Sequence, residues 1–165
     1  MAILYMLVGV PASGKSTWTA AQKKLNSERE NELICISRDK IRFSKLKDTD
    51  KYFVHEREVF QEYVKQIQEG LDSGHNVIAD ATQLNEISRN KLLNRLNLDN
   101  VQICPVVFKV NLDTCLERNA LRTGRAKVPE SVLMDMYDEF EVPSYSEKYT
   151  YSNIIIVTDE TYNSI

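Results

Sequence analysis

An apolar run from Ile3 to Val8 passes directly into Gly9-Val-Pro-Ala-Ser-Gly14-Lys15-Ser16-Thr17, and a helix-like stretch follows to about Leu25. Few features restrict a fold so tightly. The spacing is a full G-x-x-x-x-G-K-[ST] pattern, set between a strand buried on both faces and the start of a helix. The glycines permit a tight turn that brings backbone N–H groups together. The helix N-terminus adds its positive partial charge at the same place. A loop of this kind cradles phosphate oxygens. Lys15 is expected to reach the β- and γ-phosphates of ATP, and the Ser16 hydroxyl to coordinate Mg²⁺. Gly9, Ala12, Ser13, Gly14 and Thr17 complete the expected nucleotide-binding set. Trp18 is expected to pack under the loop rather than touch a base. The competing reading, a Gly-rich turn with an exposed lysine, leaves the strand–loop–helix context unexplained.

The rest of the chain repeats the alternation. Leu33 to Ile36, Asn76 to Ala79, Val101 to Val110 and Ile154 to Val157 read as strands. Pro105 suggests a bulge or an edge position in the fourth of the five. Phe60, Val64, Ile67 and Leu71 recur at helical spacing, and Gly74 is placed to end that helix. Asn85 can cap the next, with Ile87, Leu92, Leu93 and Leu96 on its apolar face. Asp113 to Leu121 reads as a helix. Pro129 opens another, with Val132, Leu133, Met136, Tyr137 and Phe140 on one face. Strands alternating with helices imply an α/β fold, a five-stranded parallel sheet with helices on both faces. The 165 residues, 42% hydrophobic and 27% charged, suit a single domain spanning 1–165.

Several function classes recede at this point. No apolar run is long enough to cross a bilayer, and the short apolar N-terminus lacks the basic flank of a signal peptide. Cys35, Cys104 and Cys115 are scattered and odd in number, which suits reduced thiols and a cytoplasmic setting, in the cell's own cytoplasm or that of a phage's host. His55 and His75 read as surface residues. A net charge of −3 argues against wrapping a long nucleic acid, though not against holding one end of a strand. The polar run from Lys45 to Lys51 is the expected mobile loop, and the tail from Asp159 to Ile165 is expected to fray.

Three further clusters bear on chemistry. Ser37-Arg38-Asp39-Lys40-Ile41-Arg42 follows the second strand, where ligands of open parallel sheets sit. Asp39 is placed to orient an acceptor hydroxyl and take its proton, and Arg38 and Arg42 to hold a phosphate on the acceptor. The same residues also fit a helix cap, by Ser37 or Asp39, with solvated arginines. Asp80 ends the third strand and fits a Mg²⁺ ligand, an acceptor anchor or a turn residue. Arg118, Arg122 and Arg125 fit a lid that closes over a triphosphate, or a solvated basic helix end.

Taken together, Gly9-Val-Pro-Ala-Ser-Gly-Lys-Ser-Thr-Trp18, Ser37-Arg-Asp-Lys-Ile-Arg42, Asp80-Ala-Thr-Gln-Leu-Asn85, Arg118-Asn119 and Val128-Pro-Glu-Ser-Val-Leu-Met-Asp-Met-Tyr137 resemble the kinase domain of phage-type polynucleotide 5′-kinases. The resemblance implies a P-loop kinase sheet with an arginine-bearing lid. It implies catalysis by Lys15, Asp39 and Arg122, with Arg118 and Arg125 also on the nucleotide. It implies an acceptor site of Arg38, Asp39, Arg42, Asp80, Thr82 and Asn85, with Mg²⁺ at Ser16 and Asp80. The implied reaction moves the γ-phosphate of ATP to the 5′-hydroxyl of a DNA or RNA oligonucleotide. The sequence departs from the pattern in three places: no Asp-x-Asp-Gly-Thr is present after the kinase region, the lid between Arg118 and Pro129 is slightly longer, and Phe140-Glu-Val-Pro143 resembles the wider group of small P-loop kinases. Two other readings stand beside the first. One is a kinase for a small hydroxyl-bearing metabolite or nucleoside-like acceptor. The other is a nucleotide-hydrolysing switch.

Overall fold

The computed structural model describes residues 1–29 and 32–163, with no side-chain description for 162 and 163. Five strands form one sheet: β1 (Ala2–Val8), β2 (Leu33–Ser37), β3 (Asn76–Asp80), β4 (Val101–Lys109) and β5 (Ile155–Thr158). Their order is β2-β3-β1-β4-β5, and every pairing is parallel. The connections run through α1 (Lys15–Leu25), α2 (Arg38–Lys45), α3 (Glu56–Asp72), α4 (Glu86–Leu93), α5 (Leu112–Ala120) and α6 (Glu130–Glu139), and α7 (Asp159–Asn163) comes after β5.

The strands bury both faces because both are covered. Leu4, Met6, Val77 and Ala79 pack on one face against Val59, Tyr63 and Ile67 of α3 and Leu92 and Leu93 of α4. Leu7, Ile78, Val106 and Phe108 pack on the other with Trp18 of α1. Alternate residues of one strand therefore serve different cores, which explains the continuous apolar runs. Trp18 meets Tyr5 and Phe108 edge to face, each at 6.2 Å, so it packs onto the sheet beneath the loop, as expected. Gly70 lets α3 press onto the sheet. A Cβ there would come within 2.6 Å of Ile34 Cδ1 and 2.9 Å of Val77 Cγ2.

The expectations for Pro105 and for the apolar faces of α4 and α6 need correction. β4 pairs with β1 without interruption from Val101 to Val107 and is an inner strand, so Pro105 marks neither a bulge nor an edge. β5 begins to pair only at Val106, so the missing N–H of Pro105 falls outside that ladder. Ile87 is 81% exposed, and the stripe of α4 is completed by Arg89. Of the proposed apolar face of α6 only Leu133 is fully buried. His55 and His75 are half-buried, and His55 lies 3.4 Å from both Asp50 and Glu58. The run after α2 forms a turn in which the Lys47 N–H donates to Asp50 Oδ2 at 2.8 Å. Of the tail, Asp159–Asn163 is helical, while residues 164 and 165 lie outside the described part.

Candidate active site

All five strands point the same way, so the ends of β1, β2 and β3 open on one edge of the sheet. A cleft of about 950 Å³ lies there. The loop after β1 forms one wall. Gly14 has φ 99° and caps α1 in the left-handed region, and Ala12 is held at φ 62°, an uncommon setting for a residue with a Cβ. Gly9 is required by close approach, since a Cβ on it would meet Ser13 Oγ at 2.8 Å and Phe108 Cβ at 2.9 Å. Ala12, Gly14, Lys15, Ser16 and Thr17 line the cleft, whereas Gly9 and Ser13 shape the loop from behind. The Lys15 ammonium donates to the carbonyls of Gly9 at 2.9 Å and Val10 at 2.8 Å. Burial lowers its pKa to about 8, against the opposing pull of Asp80 and Asp39.

Asp80, at the end of β3, faces the same space, and Thr82 lines it too. Burial raises the Asp80 carboxyl pKa, Lys15 draws it down, and Asp39 pushes it up again. The Asp80–Asn85 segment is held against the loop by its own backbone. The Gly9 N–H donates to the Thr82 carbonyl at 3.0 Å. Gln83 adopts φ 46° and its amide donates to the Leu7 carbonyl at 2.6 Å. Asn85 is used as a helix cap: its Oδ1 accepts from the Ser88 N–H at 2.9 Å, and it does not line the cleft.

The second wall is α2 together with the turn that leads into α3. Ser37 is the cap, accepting from the Lys40 N–H at 3.3 Å, which leaves Asp39 with no capping duty. The Asp39 side chain is 63% exposed and pairs with Arg42. Arg42 is itself only 6% exposed, and donates to Glu56 at 3.0 Å and 2.8 Å. Arg38 donates to the same carboxylate at 2.6 Å. Burial tends to raise the Glu56 pKa, but the two arginines hold it low. Both arginines expected on an acceptor phosphate are thus matched by Glu56 in this structure.

The lid residues divide. Arg118 and Arg122 line the cleft, with Arg122 donating to the Ala126 carbonyl at 3.3 Å. Arg125 points elsewhere. It donates to the carbonyls of Lys47 at 2.9 Å and Asp48 at 3.3 Å, joining the lid to the turn after α2.

Sequence reasoning missed Glu56, Gln83 and Arg89. Glu56 reaches Arg42 across an irregular connection, so no periodicity points to it. Arg89 did carry a signal, a charge in the helical row of Leu92 and Leu93. It is fully buried, donates to the Gln83 carbonyl at 3.1 Å and pairs with Glu147 at 2.6 Å.

A G-x-x-x-x-G-K-S loop at the end of a central parallel strand, sharing a cleft with Asp39, Asp80, Arg118 and Arg122, is the arrangement of a small P-loop kinase. The chain belongs to the AAA domain family (AAA_33), whose model matches residues 4–143. It is 29% identical to the L-seryl-tRNA(Sec) kinase of Methanococcus maripaludis over 170 residues, which covers 99% of this chain but 63% of that protein. In structure it resembles Kti12 of Chaetomium thermophilum in complex with ADP-AlF3, with TM-score 0.69, 16% identity and coverage of 98% and 94% of the two chains. It also resembles a chain of the Pnkp1/Rnl/Hen1 RNA repair complex, with TM-score 0.68, 22% identity and coverage of 84% of this chain and 43% of that one. Likeness to solved structures at these identities establishes the fold.

Proposed function

We propose that the protein transfers the γ-phosphate of ATP to a hydroxyl carried on a nucleic acid, the 5′-hydroxyl of DNA or RNA in the first instance. The observation that carries this reading is that one cleft holds the phosphate loop on one side and Asp39 on the other. The volume, about 950 Å³, is ample for a donor and an acceptor side by side. Lys15 and the loop N–H groups hold the donor phosphates. Asp39 accepts the proton of the attacking hydroxyl. Arg118 and Arg122 offset charge that develops on the transferred group. Arg42 sets the direction of the Asp39 carboxylate.

The donor set also fits Mg²⁺. Ser16 offers a hydroxyl and Asp80 a carboxylate on the cleft wall. Among the described residues no three acidic, His or Cys side chains gather to cage a metal. That suits an ion taking most of its shell from phosphate oxygens and water. When bound it would neutralise charge on the phosphates.

A second reading is the serine hydroxyl of an aminoacylated tRNA. It is favoured by the similarity to the M. maripaludis kinase along 99% of this chain. The experiment is phosphoryl transfer from γ-labelled ATP with Mg²⁺ to 5′-hydroxyl DNA and RNA strands, their 5′-phosphorylated counterparts, and serine-charged tRNA. Label only on the 5′-hydroxyl strands supports the first reading, and label only on the charged tRNA the second. Hydrolysis without transfer would support a switch. Asp39→Asn is expected to retain ATP binding and lose about 10²–10⁴-fold in turnover. Near-normal turnover in that variant would remove Asp39 from the role of base.

A further inference from the structure

Three aromatic rings stand at the mouth of the cleft on the Asp39 side. Phe43 lies on α2, and Tyr52 and Phe53 lie in the turn before α3. Phe43 and Tyr52 meet edge to face at 6.1 Å and 75°, and Tyr52 and Phe53 at 4.6 Å and 79°. Tyr52 is fixed from behind. Its hydroxyl is 3.3 Å from Asp39 Oδ1, and the Arg42 guanidinium lies 4.8 Å from its ring centre. The same guanidinium is 5.5 Å from the centre of Phe53.

This cluster lies outside the cores that flank the sheet. None of the three rings joins the cores on either face, where Trp18, Phe60, Tyr63 and Phe108 are buried. Phe43 is 38% exposed and Phe53 60% exposed, yet both line the cleft. Rings open to water, braced at right angles and backed by a cation, offer flat π-faces held in place. The local charge does not favour a phosphate here. Arg38 and Arg42 are balanced by Glu56 and Asp39. What this wall offers an acceptor is ring surface.

We propose that Phe43 and Phe53 form a stacking subsite for a nucleobase of the acceptor, seating the nucleotide that bears the reacting hydroxyl beside Asp39. The inference rests on the nucleic-acid reading of the same cleft. A base suits the subsite because every base has a π-face, so grip comes without sequence readout.

The test measures binding separately from turnover. A short fluorescent 5′-hydroxyl strand and its counterpart with an abasic 5′-terminal residue are titrated with the protein by anisotropy. The wild type is expected to bind the base-bearing strand about tenfold more tightly. Phe53→Ala and Phe43→Ala should each lose most of that difference, while Phe53→Trp should keep it. Equal binding of the two strands by the wild type overturns the subsite. So does an alanine variant that weakens both strands alike, and so does no detectable strand binding. Clear discrimination in binding without any phosphoryl transfer would sink the kinase reading and leave the subsite standing.

Discussion

At the scale of single residues, the site turns on how charge is held away from water. Lys15 is buried at the phosphate loop, and in this structure its ammonium is satisfied by the carbonyls of Gly9 and Val10. Burial brings its pKa to about 8. Below that value Lys15 is charged and attracts phosphate, and above it the free protein holds a neutral amine. ATP affinity should therefore fall as pH rises through about 8, to roughly tenfold weaker at pH 9 than at pH 7. Lys15→Met should bind weakly and lose the dependence. Calorimetric titration across pH 7–10 checks this, and a flat wild-type profile would contradict it. Asp39 and Arg42 show a second pattern. They are three apart on one helical turn, so the carboxylate and the guanidinium that steers it are set by local geometry. Glu56, which steadies Arg42 in turn, comes from another element.

At the scale of elements, the Asp80–Asn85 segment depends on a strut that has no chemistry of its own. Arg89 of α4 is fully buried and donates to the carbonyls of Gln83 at 3.1 Å and Glu141 at 3.2 Å. Its charge is met by Glu147, which also accepts from the Tyr151 hydroxyl at 2.6 Å. Burial pushes the Glu147 carboxyl pKa up, but Arg89 and Tyr151 bring it below its usual value. A lowered carboxyl pKa contributes stability that is present above the unfolded value and is lost as pH falls through the folded one. The wild type should thus lose stability on acidification below about pH 4.3, the ordinary Glu value. Glu147→Gln should start about 3 kcal/mol less stable at pH 7 and show a shallower acid loss. Urea unfolding at pH 7 and below tests both statements. Equal stability of variant and wild type at pH 7 would show that the strut carries no energy.

At the scale of the whole molecule, the cleft is assembled from parts far apart in sequence. The loop after β1, the start of α2, the turn before α3, the end of β3 and the lid after α5 all line it. Arg125 ties the lid to the turn after α2. A ligand that fills such a cleft binds only the folded chain. ATP at about 100 times its Kd should add about 2.7 kcal/mol of stability, or roughly 5–10 °C in Tm for a chain of this size. Lys15→Ala should abolish most of that shift in a thermal melt. A wild-type melt that ignores saturating ATP would contradict the nucleotide reading. Among the described residues no helix is long and apolar enough to cross a membrane.

Legibility in the sequence followed the range of the interactions. The loop after β1, the five strands and the cap at Asn85 are short-range matters of spacing, backbone freedom and neighbouring N–H groups, and they could be read directly, whereas the cap of α2 stayed open between Ser37 and Asp39 until the structure gave it to Ser37. Asp39 and Asp80 were legible because parallel strands place their C-terminal ends together. Pro105 misled because its tolerance depends on where β5 begins, which is set by a distant strand. The pairing of Arg38 and Arg42 with Glu56, the burial of Arg89 and the aromatic rim at Phe43, Tyr52 and Phe53 come from side chains meeting across loops. No periodicity encodes such meetings. By itself the sequence determined that a G-x-x-x-x-G-K-S loop would turn between a buried strand and a helix. Only the tertiary structure decided that the arginines beside Asp39 are balanced by a carboxylate and that three rings line the same cleft, because those contacts exist only once the chain has closed on itself.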